Sequence, residues 1–139
     1  AVVISLKRVL RDSFISDRFL AISGIAHRNR NDRPIQIGSS RHRLNVDEFF
    51  QYCASTKRHR DRLAEAMAGY EFFAELDYDE LATTLSIPEH IKDMIVRCAA
   101  KHGRLVDPLQ IQMAPVDLVP TGVDYSTVFE NIDELPHIN

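Results

Sequence analysis

Apolar residues recur at intervals of three and four along most of the chain up to Gly103, and beyond it that period disappears. Such spacing puts one apolar stripe on a helix, whereas a half-buried strand needs strict alternation. The chain is therefore expected to fold chiefly as amphipathic helices. The first run is Val2/Val3, Leu6, Val9/Leu10, Phe14, Phe19 and Ile22, with Lys7, Arg8, Arg11 and Asp12 between them. It predicts a helix from the first residues onward, broken near Ser16 and ended at Gly24.

Helix boundaries are well marked further on. Asn45 offers an N-cap with Glu48 three residues later, ahead of an apolar face made by Val46, Phe49, Phe50, Cys53 and Ala54. A separate segment from Lys57 to Met67 follows, and then Tyr70, Phe72, Phe73 and Leu76, read as core aromatics at helical spacing. Asp77-Tyr78-Asp79-Glu80 and Ser86-Ile87-Pro88-Glu89 each supply a cap residue and an acid three positions on. The second of these should open a helix through Ile91, Ile95, Cys98 and Ala99 to about His102, with Gly103 as its stop.

Two stretches break the helical pattern. Residues 23–45 are polar and rich in Arg, Asn and Ser, with only Ile35-Gln36-Ile37 alternating between Pro34 and Gly38. Leu109, Ile111 and Met113 alternate with Gln110 and Gln112, so these two segments are expected to pair as a small sheet. The expected fold is mainly α: a single small helical domain of about five helices, a minor short strand pair and an extended C-terminal arm. The domain spans 1–113 with a basic loop at 23–45, and the acidic arm spans 114–139.

The chain has 139 residues, 45% of them hydrophobic. A domain of that size buries about 65–70% of its unfolded surface, enough for a core without staples. Two cysteines, Cys53 and Cys98, exclude a disulfide scaffold. No apolar run approaches the roughly 20 residues of a membrane-spanning helix, so no membrane partner is expected. Val2-Val3-Ile4 is too short for a signal core, and Asp12, Asp17 and Asp32 oppose a transit-peptide reading. A reducing compartment, cytoplasm or organelle matrix, is the expected location.

The formal net charge of −3 conceals a division. Residues 1–70 carry 13 basic and 7 acidic side chains, a formal +6; residues 71–139 carry 4 and 13, a formal −9. Such asymmetry points to a charged partner, or to halves that neutralise each other within one fold. The basic side chains cluster as Arg28, Arg30 and Arg33, then Arg41 and Arg43, then Lys57, Arg58, Arg60 and Arg62. Guanidinium groups bind phosphate oxygens bidentately, so these nine residues are the candidate contacts to a nucleic-acid backbone or another polyanion. The loop holds no interleaved aromatics, which favours backbone contact over base reading.

The pair of segments around Leu81, Leu85 and Ile87 has helix-turn-helix-like spacing, with those three residues expected to pack it. Its second helix, however, opens with Glu89 and Asp93 among His90 and Lys92, and acids there repel phosphate. Catalytic and metal patterns fail on spacing. There is no CxxC, no nucleophile elbow and no glycine-rich phosphate loop, so neither an enzyme nor a cofactor or metal is expected. The leading expectation is a non-catalytic regulatory or assembly component contacting nucleic acid through its basic half. The alternative is a protein–protein adaptor or assembly subunit, without nucleic acid, that docks a protein partner through the acidic half and the arm or forms a homo-oligomer through the arm, with Val119, Tyr125, Phe129, Ile132 and Leu135 as anchors.

Overall fold

The structure is a computed structural model, and it describes residues 1–25, 27–29, 41–113, 118–120 and 122–138, with 27–29 and 118–120 as backbone only. The described residues are mainly helical, with four α-helices and two short two-stranded sheets. The chain divides into two compact units: Ala1–Arg8 with Arg62–Pro115, and Val9–Asp61 with the residues from Val116 onward.

The first unit opens with strand β1 (Val3–Lys7), where a helix was expected. β1 pairs in parallel with β3 (Phe73–Asp77) in the register Val3↔Phe73 to Lys7↔Asp77. The sequence between Val2 and Leu6 fits either period, and the β-branched Val3 and Ile4 take the strand once β3 is beside them. The Tyr70–Leu76 stretch is corrected likewise: Phe72 is buried, but from Phe73 the backbone is extended rather than helical. Helices α3 (Tyr78–Thr84) and α4 (Glu89–Lys101) follow. The Asp77 carboxylate accepts the Glu80 N–H at 2.9 Å and caps α3 as its sequence indicated. α4 ends at Gly103, whose φ of 75° is left-handed, with the Arg104 N–H reaching back to the Ala99 carbonyl at 2.9 Å. Phe72, Ile91, Met94 and Cys98 form this unit's buried cluster, flanked by Ala74, Leu76 and Ile87.

Two expectations in this unit fail. Leu85 does not pack the helix pair; it sits at φ 52° as the C-cap of α3 and is 51% exposed. Nor is 109–113 a strand, since Pro108–Gln110 is a single 3-10 turn capped by Asp107 and Leu109 is exposed. The partner expected for it, Pro34–Ile37, lies outside the described residues.

In the second unit, α1 (Leu10–Ser23) and α2 (Val46–Ala66) supply most of the core. α2 is one helix where two segments were expected, which lowers the helix number; its last turn counts with the first unit. Its start is capped as read, the Glu48 N–H donating to Asn45 Oδ1 at 3.0 Å. Strand β2 (His27–Asn29) pairs antiparallel with β4 (Leu118–Pro120). Residues 122–138 carry short 3-10 turns at Tyr125–Thr127 and Ile132–Glu134. Val128, Phe129 and Leu135 pack in one cluster with Leu10, Phe14, Phe19, Leu44, Phe49 and Cys53. The Leu10 N–H also donates to the Ile138 carbonyl at 2.8 Å, tying the C-terminal segment to the start of α1.

Candidate nucleic-acid interface

The basic residues named from the sequence separate into three groups. Arg28 lies in β2, opposite Val119 of β4, while Arg30 and Arg33 fall outside the described residues. Arg41 and Arg43 are turned onto the C-terminal segment. Arg41 donates to the carbonyls of Ser126 at 3.0 Å and Phe129 at 3.4 Å. Arg43 grips the Glu134 carboxylate with bonds of 2.8 and 3.0 Å and lies 3.6 Å from Glu130. These contacts raise the Arg43 pKa, chiefly through the hydrogen bond to Glu134.

Between those two arginines the backbone joins the same segment. The His42 N–H donates to the Val128 carbonyl at 2.7 Å, and the Glu130 N–H returns to the His42 carbonyl at 2.9 Å. Asn131 completes the junction. It is 2% exposed, its Oδ1 accepts the Leu44 N–H at 2.7 Å, and its Nδ2 donates to the Leu44 carbonyl at 2.9 Å and to Glu134 at 3.0 Å. That bond from Asn131, followed by the one from Arg43, holds the Glu134 carboxyl below its usual range. Nothing in the sequence marks Asn131, because a polar residue between acids reads as solvated surface.

The third group is on α2. Lys57, Arg58 and Arg62 are exposed, with His59 beside them, and Arg60 is half-buried. Asp61 is the single acid within 57–62. Arg58 and Arg62 are four residues apart and so share a face, about 6 Å apart along the axis. Among the described residues no carboxylate lies within ion-pair distance of Lys57, Arg58 or Arg62. Other cations are matched: Lys7 with Glu75, Arg18 with Glu48, Lys92 with Glu89, Arg97 with Asp93, and Lys101 with Glu71. The cations of the last three pairs lie on α4, which leaves the helix-turn-helix-like element few free cationic donors for DNA. On the inner side of α2 burial pushes the Cys53 thiol pKa up, partly offset by the charge of Lys57.

The arm anchors named from the sequence are engaged within the second unit. Phe129 and Leu135 are each 2% exposed, Ile132 packs on the core, and Tyr125 lies 5.4 Å from Phe19 between ring centroids. Val119 is in β4. Among the described residues no three His, Cys, Asp or Glu side chains converge to hold a metal ion, and no helix is long and apolar enough to cross a membrane. In comparisons with known proteins, no family model, curated protein or solved structure matches the chain.

Proposed function

We propose that this protein binds nucleic-acid backbone through the basic stretch of α2, with Lys57, Arg58 and Arg62 as phosphate contacts. One observation carries the reading: these three exposed cations have no carboxylate partner among the described residues, whereas the cations of α4 are each matched by an acid. An unmatched cation row attracts a polyanion and releases its counterions on contact. Arg41 and Arg43 serve the fold rather than the ligand, since both hold the C-terminal segment. The adaptor reading has less support, because Phe129 and Leu135 are packed inside their own unit.

The test is fluorescence anisotropy with duplex and single-stranded DNA and RNA across a salt series. Three phosphate contacts give a slope of log K against log salt of about −2 to −3, or roughly a 20- to 40-fold loss between 50 and 200 mM. The Lys57→Ala/Arg58→Ala/Arg62→Ala variant should lose that dependence on every sequence alike. Absence of binding to all four probes at low salt would sink the proposal.

A further inference from the structure

We propose that the outer edge of β1 is a self-association surface, through which two copies of this chain pair β1 against β1 in antiparallel fashion about a two-fold axis at Ser5. The parallel ladder decides which backbone groups are free. The Val3 N–H donates to the Phe72 carbonyl at 2.9 Å, so Val3, Ser5 and Lys7 direct their backbone groups toward β3. Ile4 and Leu6, by alternation, direct theirs to the opposite edge, where no strand pairs with β1 among the described residues. An open edge of this kind is a template for another strand.

The side chains on that edge are apolar and half uncovered. Ile91 of α4 is 1% exposed, whereas Ile4 is 40% and Leu6 50% exposed. They border a groove of about 300 Å³ that also includes Leu76, Leu81, Ile87 and Ile91. Parallel strands are normally covered on both faces, and two alone are marginal. The groove is thus lined on its helical side and open at β1.

A second copy fits this edge better than a strand of arbitrary sequence, because the edge is complementary to itself. With Ser5 on the axis, Ile4 meets the second copy's Leu6 and Leu6 meets its Ile4. Both pairs are of the hydrogen-bonded kind, so all four free backbone groups on each strand find partners. From the register of β1 and β3, one row across the resulting four strands reads Ala74, Ile4, the second copy's Leu6 and its Leu76. Every member of that row is apolar. On the other face Lys7 meets the second copy's Val3, and its charge stays matched to Glu75 at 2.7 Å. A parallel pairing of the same two edges would turn the faces over and set Ile4 beside the second copy's Val3 or Ser5. The continuous apolar row therefore forms only in the antiparallel two-fold arrangement. The strand buries less than the roughly 800 Å² per partner of a standard interface, so the association is weak and concentration-dependent.

Sedimentation velocity from micromolar to millimolar loading, on nuclease-treated protein, measures it. The wild type should shift from monomer toward dimer. Ile4→Pro removes an N–H from the free edge only and leaves the ladder to β3 intact, so it should stay monomeric with an unchanged circular dichroism spectrum. Cross-linking tests the register without depending on that variant. Ser5 faces its own copy in a non-hydrogen-bonded pair with Cα atoms about 4.5 Å apart, which a disulfide can span. Ser5→Cys should therefore oxidise to a covalent dimer, while Val3→Cys, which faces Lys7, should not. A wild type that is monomeric at every loading, or equal cross-linking of the two cysteine variants, overturns the proposal. Because only the first unit takes part, neither result depends on nucleic-acid binding.

Discussion

Replacing Asn131 by alanine removes three hydrogen bonds and strands two of their partners inside the second unit. The Leu44 N–H and C=O, held at 2.7 and 2.9 Å, belong to a residue only 4% exposed, so water cannot readily replace the amide. Each stranded buried group costs about 1–3 kcal/mol, whereas the bond to exposed Glu134 is easily exchanged for water. The loss should total about 2–6 kcal/mol, which places it among the large single-site effects. Urea unfolding followed by circular dichroism should show a midpoint lowered by about 1–3 M, given an m value of about 2 kcal/mol/M. Hydrogen exchange should place the change at Leu44, His42 and Glu130, the amides at this junction.

The isosteric Asn131→Asp variant sharpens the test. Its carboxylate keeps the acceptor for the Leu44 N–H but cannot donate to the Leu44 carbonyl, and it faces Glu134. Burial and repulsion raise its folded pKa above the unfolded value of about 3.9. Its contribution to stability is then full below the unfolded value and lost as pH rises through the folded one. The deficit against wild type should widen from pH 3 to neutrality. A midpoint for Asn131→Ala within about 0.3 M of wild type, well inside the scale of a stranded buried pair, would refute the reasoning.

Two further outcomes are expected. Leu85→Gly should stabilise the first unit by about 0.5–1 kcal/mol in chemical denaturation, since it relieves a left-handed conformation at a half-exposed side chain; a destabilised variant would mean that Leu85 contributes packing after all. Glu134, Asp124 and Glu71 all titrate below their usual range, held by Asn131 and Arg43, by Ser126, and by Lys101 respectively. Their folded values lie below the unfolded ones, so the stability they add is present above about pH 4 and lost as pH falls through the folded values. The melting temperature should hold from neutrality to about pH 5 and then fall, and Glu134→Gln should blunt that fall.

The sequence carried the starts of α2 and α3 and the end of α4 because those signals are local. Asn45 and Asp77 cap the helices they precede, and Gly103 ends α4, each through a bond that spans at most five positions. It also carried the charge division, and Lys57, Arg58 and Arg62 stay exposed because the apolar stripe of α2 settles which face turns inward. What it could not carry were features whose partners are far along the chain. Val2 to Leu6 fits a helix or a strand, and only the β3 backbone, reached after both long helices, makes it a strand.

The same reason separates the arginines. Arg43 and Arg58 look alike in the sequence, as cations in a basic half. One meets Glu134 because Asn131 fastens residues 42–44 to the C-terminal segment, and the other remains on an exposed helix face. The sequence by itself determined the mainly helical class, the caps of α2 and α3 and the supply of positive charge, since propensity, capping and composition are local. The tertiary structure decided that Arg43 and Lys101 are already matched and which strand edge is left open, since both depend on bonds closed between distant residues.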